Sequence, residues 1–94
     1  MEVGDMENEF DKYLTESKNP DLRDKLTFSR LVSTGLELTG MTLREAAVTF
    51  KTAPGTVSRW ENGYCAPPMI AREKVVSLLV ARVRRIRERI AVPV

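Results

Sequence analysis

Apolar residues recur along this chain at spacings of three and four, the periodicity of amphipathic helices. Over residues 22–39, Leu22, Leu26, Phe28, Leu31, Val32 and Leu36 form a broad apolar face. Pro20 precedes this stretch, Asp21 is placed to cap it and Gly40 to stop it. Leu43, Ala46, Ala47 and Phe50 then give about two turns, opened by Thr42-Leu43-Arg44-Glu45, which reads as a capping box. In the next stretch Val57 and Trp60 lie on one face, Thr56 and Arg59 on another, and Gly63 supplies the stop. Beyond the stiff connector 64–68, residues 69 to about 89 make roughly six turns if unbroken. There Val75, Leu79, Val83, Ile86 and Ile90 recur at spacings of 4, 4, 3 and 4, widened by Val76, Leu78 and Val80. Met6, Phe10 and Leu14, with Tyr13 beside them, have the spacing of a short amphipathic helix.

These elements predict an all-α fold, a small helical bundle. Lys51-Thr52-Ala53 is too short for anything but a corner, and Pro54 suits the first turn of the helix that follows. Two short helices so joined form the helix-turn-helix arrangement, in which the second helix enters the DNA major groove. The seam Val75, Leu79, Val83, Ile86 and Ile90 needs a cover. A second copy of the chain is the economical expectation, making these five residues a dimer interface. The alternative is that the seam folds back on the first long helix or on residues 6–14.

Residues 41–63 resemble, without a gap, the helix-turn-helix of the Xre/Cro/phage-repressor family. The residues that carry the likeness are Thr42, Glu45, Ala47, Thr56, Val57, Ser58, Arg59, Trp60, Glu61, Asn62 and Gly63. They cover about a quarter of the chain, and a looser likeness by helix order runs over 22–79. The resemblance implies a lambda-repressor-like DNA-binding domain; the long C-terminal helix departs from it, since the shorter family domains usually have two small helices there. It implies that Val57 and Trp60 are core, that the helix around 54–62 reads half-sites, and that Asn62 hydrogen-bonds phosphate.

The departures from the family pattern redistribute the contacts. The turn glycine is Lys51, the usual Ser or Thr cap is Ala53, and the glutamine that opens the second helix is Leu43. Lys51 either takes up strain of about a kcal/mol or reshapes the turn, and Thr52 could cap one residue early. Some relatives pair the glutamate of Glu-Asn-Gly with a first-helix arginine, where this chain has Leu36, so Glu61 needs another partner. Pro54 and Gly55 carry no side chain able to read a base. Arg59 therefore leads the base-contacting candidates, since a guanidinium can donate twice to guanine O6 and N7. Thr56 and Ser58 share its face, and Gly55 contributes by letting the backbone approach the groove wall. Asn62, Thr52, Lys51, Arg44 and Tyr64 are the candidate phosphate contacts.

Charge adds a polarity. Residues 1–20 hold six acids against two bases, a net of −4, and residues 21–94 hold thirteen bases against seven acids, a net of +6. The chain divides on this basis into an acidic arm, 1–20, and a DNA-binding domain, 21–94. Cationic side chains gain from releasing the counterions condensed on phosphates. Arg72, Lys74, Arg82, Arg84, Arg85, Arg87 and Arg89 line the long helix against Glu73 and Glu88, as phosphate contacts or as a solvated face. A chain without histidine and with a single Cys65 excludes histidine-dependent acid–base chemistry, an internal disulfide and a Cys/His metal cluster. No enzyme activity and no cofactor are expected. The absence of a long apolar run or signal-peptide pattern predicts a cytoplasmic, nucleoid-associated protein without a membrane partner. The expected function is a homodimeric, sequence-specific regulator of transcription, most simply a repressor, bound to double-stranded DNA. The alternatives are an antitoxin that binds a toxin and autoregulates its operon, and a helix-turn-helix used as a protein-interaction module.

Overall fold

Five helices follow one another in the computed structural model, which describes residues 4–91, with side chains from 9 to 90. They are α1 (Gly4–Glu16), α2 (Lys25–Thr39), α3 (Leu43–Phe50), α4 (Pro54–Glu61) and α5 (Met69–Ala91), with no strand among the described residues. The chain is thus a small all-helical bundle.

Each helix end has a local cause. α2 begins at Lys25, because Asp24, and not Asp21, is its cap: the Asp24 carboxylate accepts from the Leu26 N–H at 3.1 Å and from Thr27 Oγ1 at 3.0 Å. Asp21 lies one turn earlier and holds Arg23 instead, accepting from its N–H and its Nε at 3.2 Å each. Leu22 is accordingly a buried residue of a turn, outside the helix, and Leu26, expected on the apolar face, is 73% exposed. Gly40 ends α2 at φ 70°. The capping box of α3 is complete: Thr42 Oγ1 accepts from the Glu45 N–H at 3.1 Å, and Glu45 Oε1 accepts from the Thr42 N–H at 2.9 Å.

α2 is the central element, packing against α5, α4 and α1. Phe28, Leu31, Val32 and Leu36 along it meet Val57 and Trp60 from α4 and Val75, Val76, Leu79 and Val83 from α5 in one buried cluster. The Phe28 and Trp60 rings meet edge-on, centroids 6.0 Å apart at 68°.

α5 is a single unbroken helix, yet its seam closes within the chain. Val75, Leu79 and Val83, expected to face a second copy, are 4%, 0% and 0% exposed. The cover comes from α2 and from α1, whose Tyr13, Phe10 and Leu14 pack into or against the same cluster. The seam runs out only at its far end, where Ile86 is half-buried and Ile90 is 63% exposed. One face of α1, carried by Phe10, Tyr13 and Leu14, therefore packs on the core, while Glu9, Lys12, Thr15 and Glu16 are exposed; the side chain of Met6 lies outside the described residues.

Two polar clips tie the outer helices down. The Arg72 guanidinium, expected on the outer basic face, turns inward and donates to the carbonyls of Pro67 at 2.6 Å and Leu22 at 2.7 Å. It thereby joins the 64–68 connector to the turn before α2. Arg87 pairs with Asp11, joining α5 to α1.

Candidate nucleic-acid interface

α3 and α4 close with the same six-residue device. At the end of α3 the Thr52 N–H donates to the Ala47 carbonyl at 2.9 Å and the Lys51 N–H to Val48 at 3.3 Å. At the end of α4 the Tyr64 N–H donates to Arg59 at 2.9 Å and the Gly63 N–H to Trp60 at 3.2 Å. This is the Schellman pattern, which requires one residue in the left-handed region. Gly63 fills that place at φ 80° without a Cβ penalty, and Lys51 fills it at φ 60° with one. Lysine therefore preserves the turn and carries the strain.

The turn delivers the chain into α4 without a side-chain cap. Ala53 occupies the cap position in an extended conformation, no side-chain hydrogen bond closes the helix start there, and Pro54 opens the first turn. Thr52 does not cap early; its backbone is engaged in closing α3. The first turn of α4 is consequently bare. A Cβ built on Gly55 would meet only Arg59 Nη1, at 3.9 Å.

Packing fixes which face of α4 remains available. Val57 and Trp60 are buried, Trp60 between Phe28 and Phe50. Ala46 and Ala47 of α3 are buried as well, and their small side chains allow α3 and α4 to lie close. Ser29 Oγ donates to the Glu61 carbonyl at 2.9 Å, fastening the end of α4 to the middle of α2. Glu61 shares a hollow with Leu36, Glu37, Met41 and Leu43. Leu36, which the residue count puts opposite Glu61, lines the same hollow and offers the carboxylate no hydrogen bond. Among the described residues Glu61 forms no ion pair.

On the open face, Arg59 is exposed and its Nη1 reaches back to the Gly55 carbonyl at 3.4 Å, a long contact easily exchanged for another acceptor. Thr56 and Ser58 are half-exposed beside it. Asn62 is exposed, but its amide Nδ2 donates to the Ser58 carbonyl at 2.8 Å. The second N–H of Nδ2, whose nearest partner Ser58 Oγ is 3.4 Å away, is left for a phosphate. Lys51 and Arg44 are exposed and Thr52 is half-exposed; Tyr64, just past α4, is 77% exposed. Gly55 pairs with Arg59 and Ser58 with Asn62 along α4 and its end, while Arg44, Lys51 and Thr52 sit on α3 and the turn.

Sequence reasoning overlooked Ser29, which holds the end of α4, and placed Arg72 on the outer face where it instead ties down the connector. A serine within the apolar stretch of α2 was a usable signal for the first. No family model, curated protein or solved structure matches the chain. Among the described residues no helix is long and apolar enough to cross a membrane.

Proposed function

We propose that this protein is a sequence-specific, double-stranded-DNA-binding regulator of transcription that presents α4 to the major groove. One observation carries the reading. Two short helices joined through a left-handed Lys51 are clamped to α2 by Val57, Trp60 and the Ser29–Glu61 bond, leaving α4 with a bare first turn and an exposed Arg59. Burial thus fixes the helix on one side and leaves its polar side free to approach a base edge. The likeness of residues 41–63 to the Xre/Cro/phage-repressor pattern points the same way. Arg59 would read guanine, Thr56 and Ser58 would contact neighbouring positions, and Gly55 would admit the groove wall. With so few reading groups per chain, specificity would draw on DNA shape and on paired half-sites. A dimer suited to such sites would need a surface other than the closed Val75–Leu79–Val83 seam; the exposed end around Ile90 is open to it.

A second reading, a helix-turn-helix used purely as a protein-interaction module, draws support from large apolar side chains left exposed at Val48, Tyr64 and Ile70. Selection of bound duplexes from a random pool separates the two. An enriched motif whose binding weakens steeply with salt supports DNA reading, and no duplex binding at low salt rejects it.

A further inference from the structure

We propose that one flank of α5, beside its buried seam, is a second nucleic-acid surface, a stripe of Arg82, Arg85 and Arg89 that grips the sugar–phosphate backbone of a duplex. It shares only its partner class with the reading of α4. Positions at spacings of three and four stack along one side of a helix, and all three arginines are exposed. Lys74 lies on the same side two turns earlier, also exposed, with half-buried Leu78 between.

Pairing within the chain sorts the cations of α5. Arg72 is consumed by the Leu22 and Pro67 carbonyls, and Arg87 by Asp11 of α1. Arg87 stands about 160° around the helix from Arg85, so the acidic face of α1 lies across the helix from the stripe. Among the described residues Arg82, Arg85 and Arg89 have neither an ion pair nor a hydrogen bond. Like charges at these spacings repel and weaken the helix that bears them. A polyanion with charges spaced along a line relieves that repulsion, and duplex nucleic acid carries one charge per about 1.7 Å of axis. Guanidinium forks also suit phosphate oxygens.

The direction of α5 carries the stripe from beside the core toward its exposed end. Arg72 lies beside Leu22, and Leu79 beside Gly35, so α5 runs in the same general sense as α2. Its second half passes the level of Gly35 and emerges where Ile90 is already exposed. Val83 beside Arg82 is still fully buried, so the stripe starts alongside the core and runs out with the helix toward exposed Ile90.

The test compares wild type with Arg82→Gln/Arg85→Gln/Arg89→Gln on a random-sequence duplex between 50 and 200 mM salt, a range set by roughly 0.9 logarithmic units of slope per phosphate contact. Loss of three contacts should flatten the slope by about 2.7, so that wild-type affinity falls roughly 40-fold more than the variant's over that range. Glutamine is a good helix former, and unchanged helicity and melting verify that the variant is folded. The Arg82→Lys/Arg85→Lys/Arg89→Lys protein, which keeps the charge, should retain most of the wild-type slope. Equal slopes for wild type and the glutamine variant overturn the proposal, as does a dependence on these arginines seen with phosphatidylserine vesicles but not with duplex. Failure of the α4 reading looks different: no enriched motif emerges from the random pool, while the slope difference persists.

Discussion

The Tyr13 hydroxyl occupies the space that a side chain on Gly35 would need. A Cβ built on Gly35 would lie 2.6 Å from that oxygen and 3.0 Å from Leu79 Cδ1. The hydroxyl cannot simply swing away, because it is buried and donates to the Leu31 carbonyl at 2.8 Å. A glycine inside α2 costs about 1 kcal/mol relative to alanine in an unconstrained helix, and here it provides the seat where α1, α2 and α5 converge. Gly35→Ala should therefore destabilise the protein by about 1–3 kcal/mol despite its better helix propensity. Tyr13→Phe should cost about 0.5–1.5 kcal/mol. In the double variant the two losses should sum to less than their separate values, since removing the Tyr13 hydroxyl also removes the nearest clash. Urea denaturation of the four proteins measures this; strict additivity would show that the hydroxyl is not what crowds Gly35.

Burial also raises the pKa of the Tyr13 phenol well above its ordinary value near 10. The folded state therefore holds the proton where the unfolded chain would release it. Stability from this group is complete below pH ~10 and declines above it at about 1.4 kcal/mol per pH unit until the folded phenol itself ionises. Wild type should lose more stability than Tyr13→Phe between pH 9 and 11, and denaturation at the two pH values compares the slopes. Parallel declines would place the phenol in contact with water.

The turn between α3 and α4 contains two removable costs. Lys51 sits at φ 60°, so Lys51→Gly should stabilise by about 0.5–1 kcal/mol after allowing for the extra freedom of glycine when unfolded. Ala53 leaves the start of α4 without a side-chain cap, and Ala53→Ser should add about 1 kcal/mol. Thermal melts of each variant provide the measurement. A Lys51→Gly protein less stable than wild type would mean that the lysine side chain makes a compensating contact.

What could be read from the sequence followed the range of the interactions. The start of α3 and the ends of α3 and α4 depend on neighbours within six residues, so Thr42, Glu45, Pro54 and Gly63 announced them. The start of α2 was harder, because Asp21 and Asp24 are both capping residues. The choice fell to Asp24 once Leu22 was buried in the turn and Thr27 supplied a second donor. The seam of α5 was plain in its periodicity, but periodicity names a face and not its cover. Tyr13 and Phe10, in an acidic segment that looked like an appendage, supply part of that cover. The unexplained glycine inside α2 was the available sign that something packs there. On α4 spacing puts Val57 and Trp60 on one face and the family likeness makes that face the inward one, whereas the bond that turns Asn62 back onto Ser58 depends on a side-chain rotamer that no pattern of residue types records.

If α4 reads DNA, Arg59 and Asn62 should fail in different ways when removed. Among the described residues the Arg59 side chain makes one hydrogen bond, the long one to the Gly55 carbonyl of its own helix, so truncation should leave the fold intact and remove a bidentate donor. Arg59→Ala should abolish discrimination at one or two base pairs, each worth about 1–3 kcal/mol, while binding at the remaining positions keeps its preferences. Asn62 is neutral and would touch phosphate, so Asn62→Ala should weaken every sequence by a similar factor. The salt slope should then stay unchanged, because no cation has been lost. The same substitution removes the Nδ2 bond to Ser58 near the end of α4, so its melting temperature must be recorded beside its affinity. Enrichment profiles from a random duplex pool, with competition titrations at two salt concentrations, distinguish the two signatures. An Arg59→Ala profile identical to wild type would falsify base reading by this residue and shift the burden of specificity to Thr56 and Ser58.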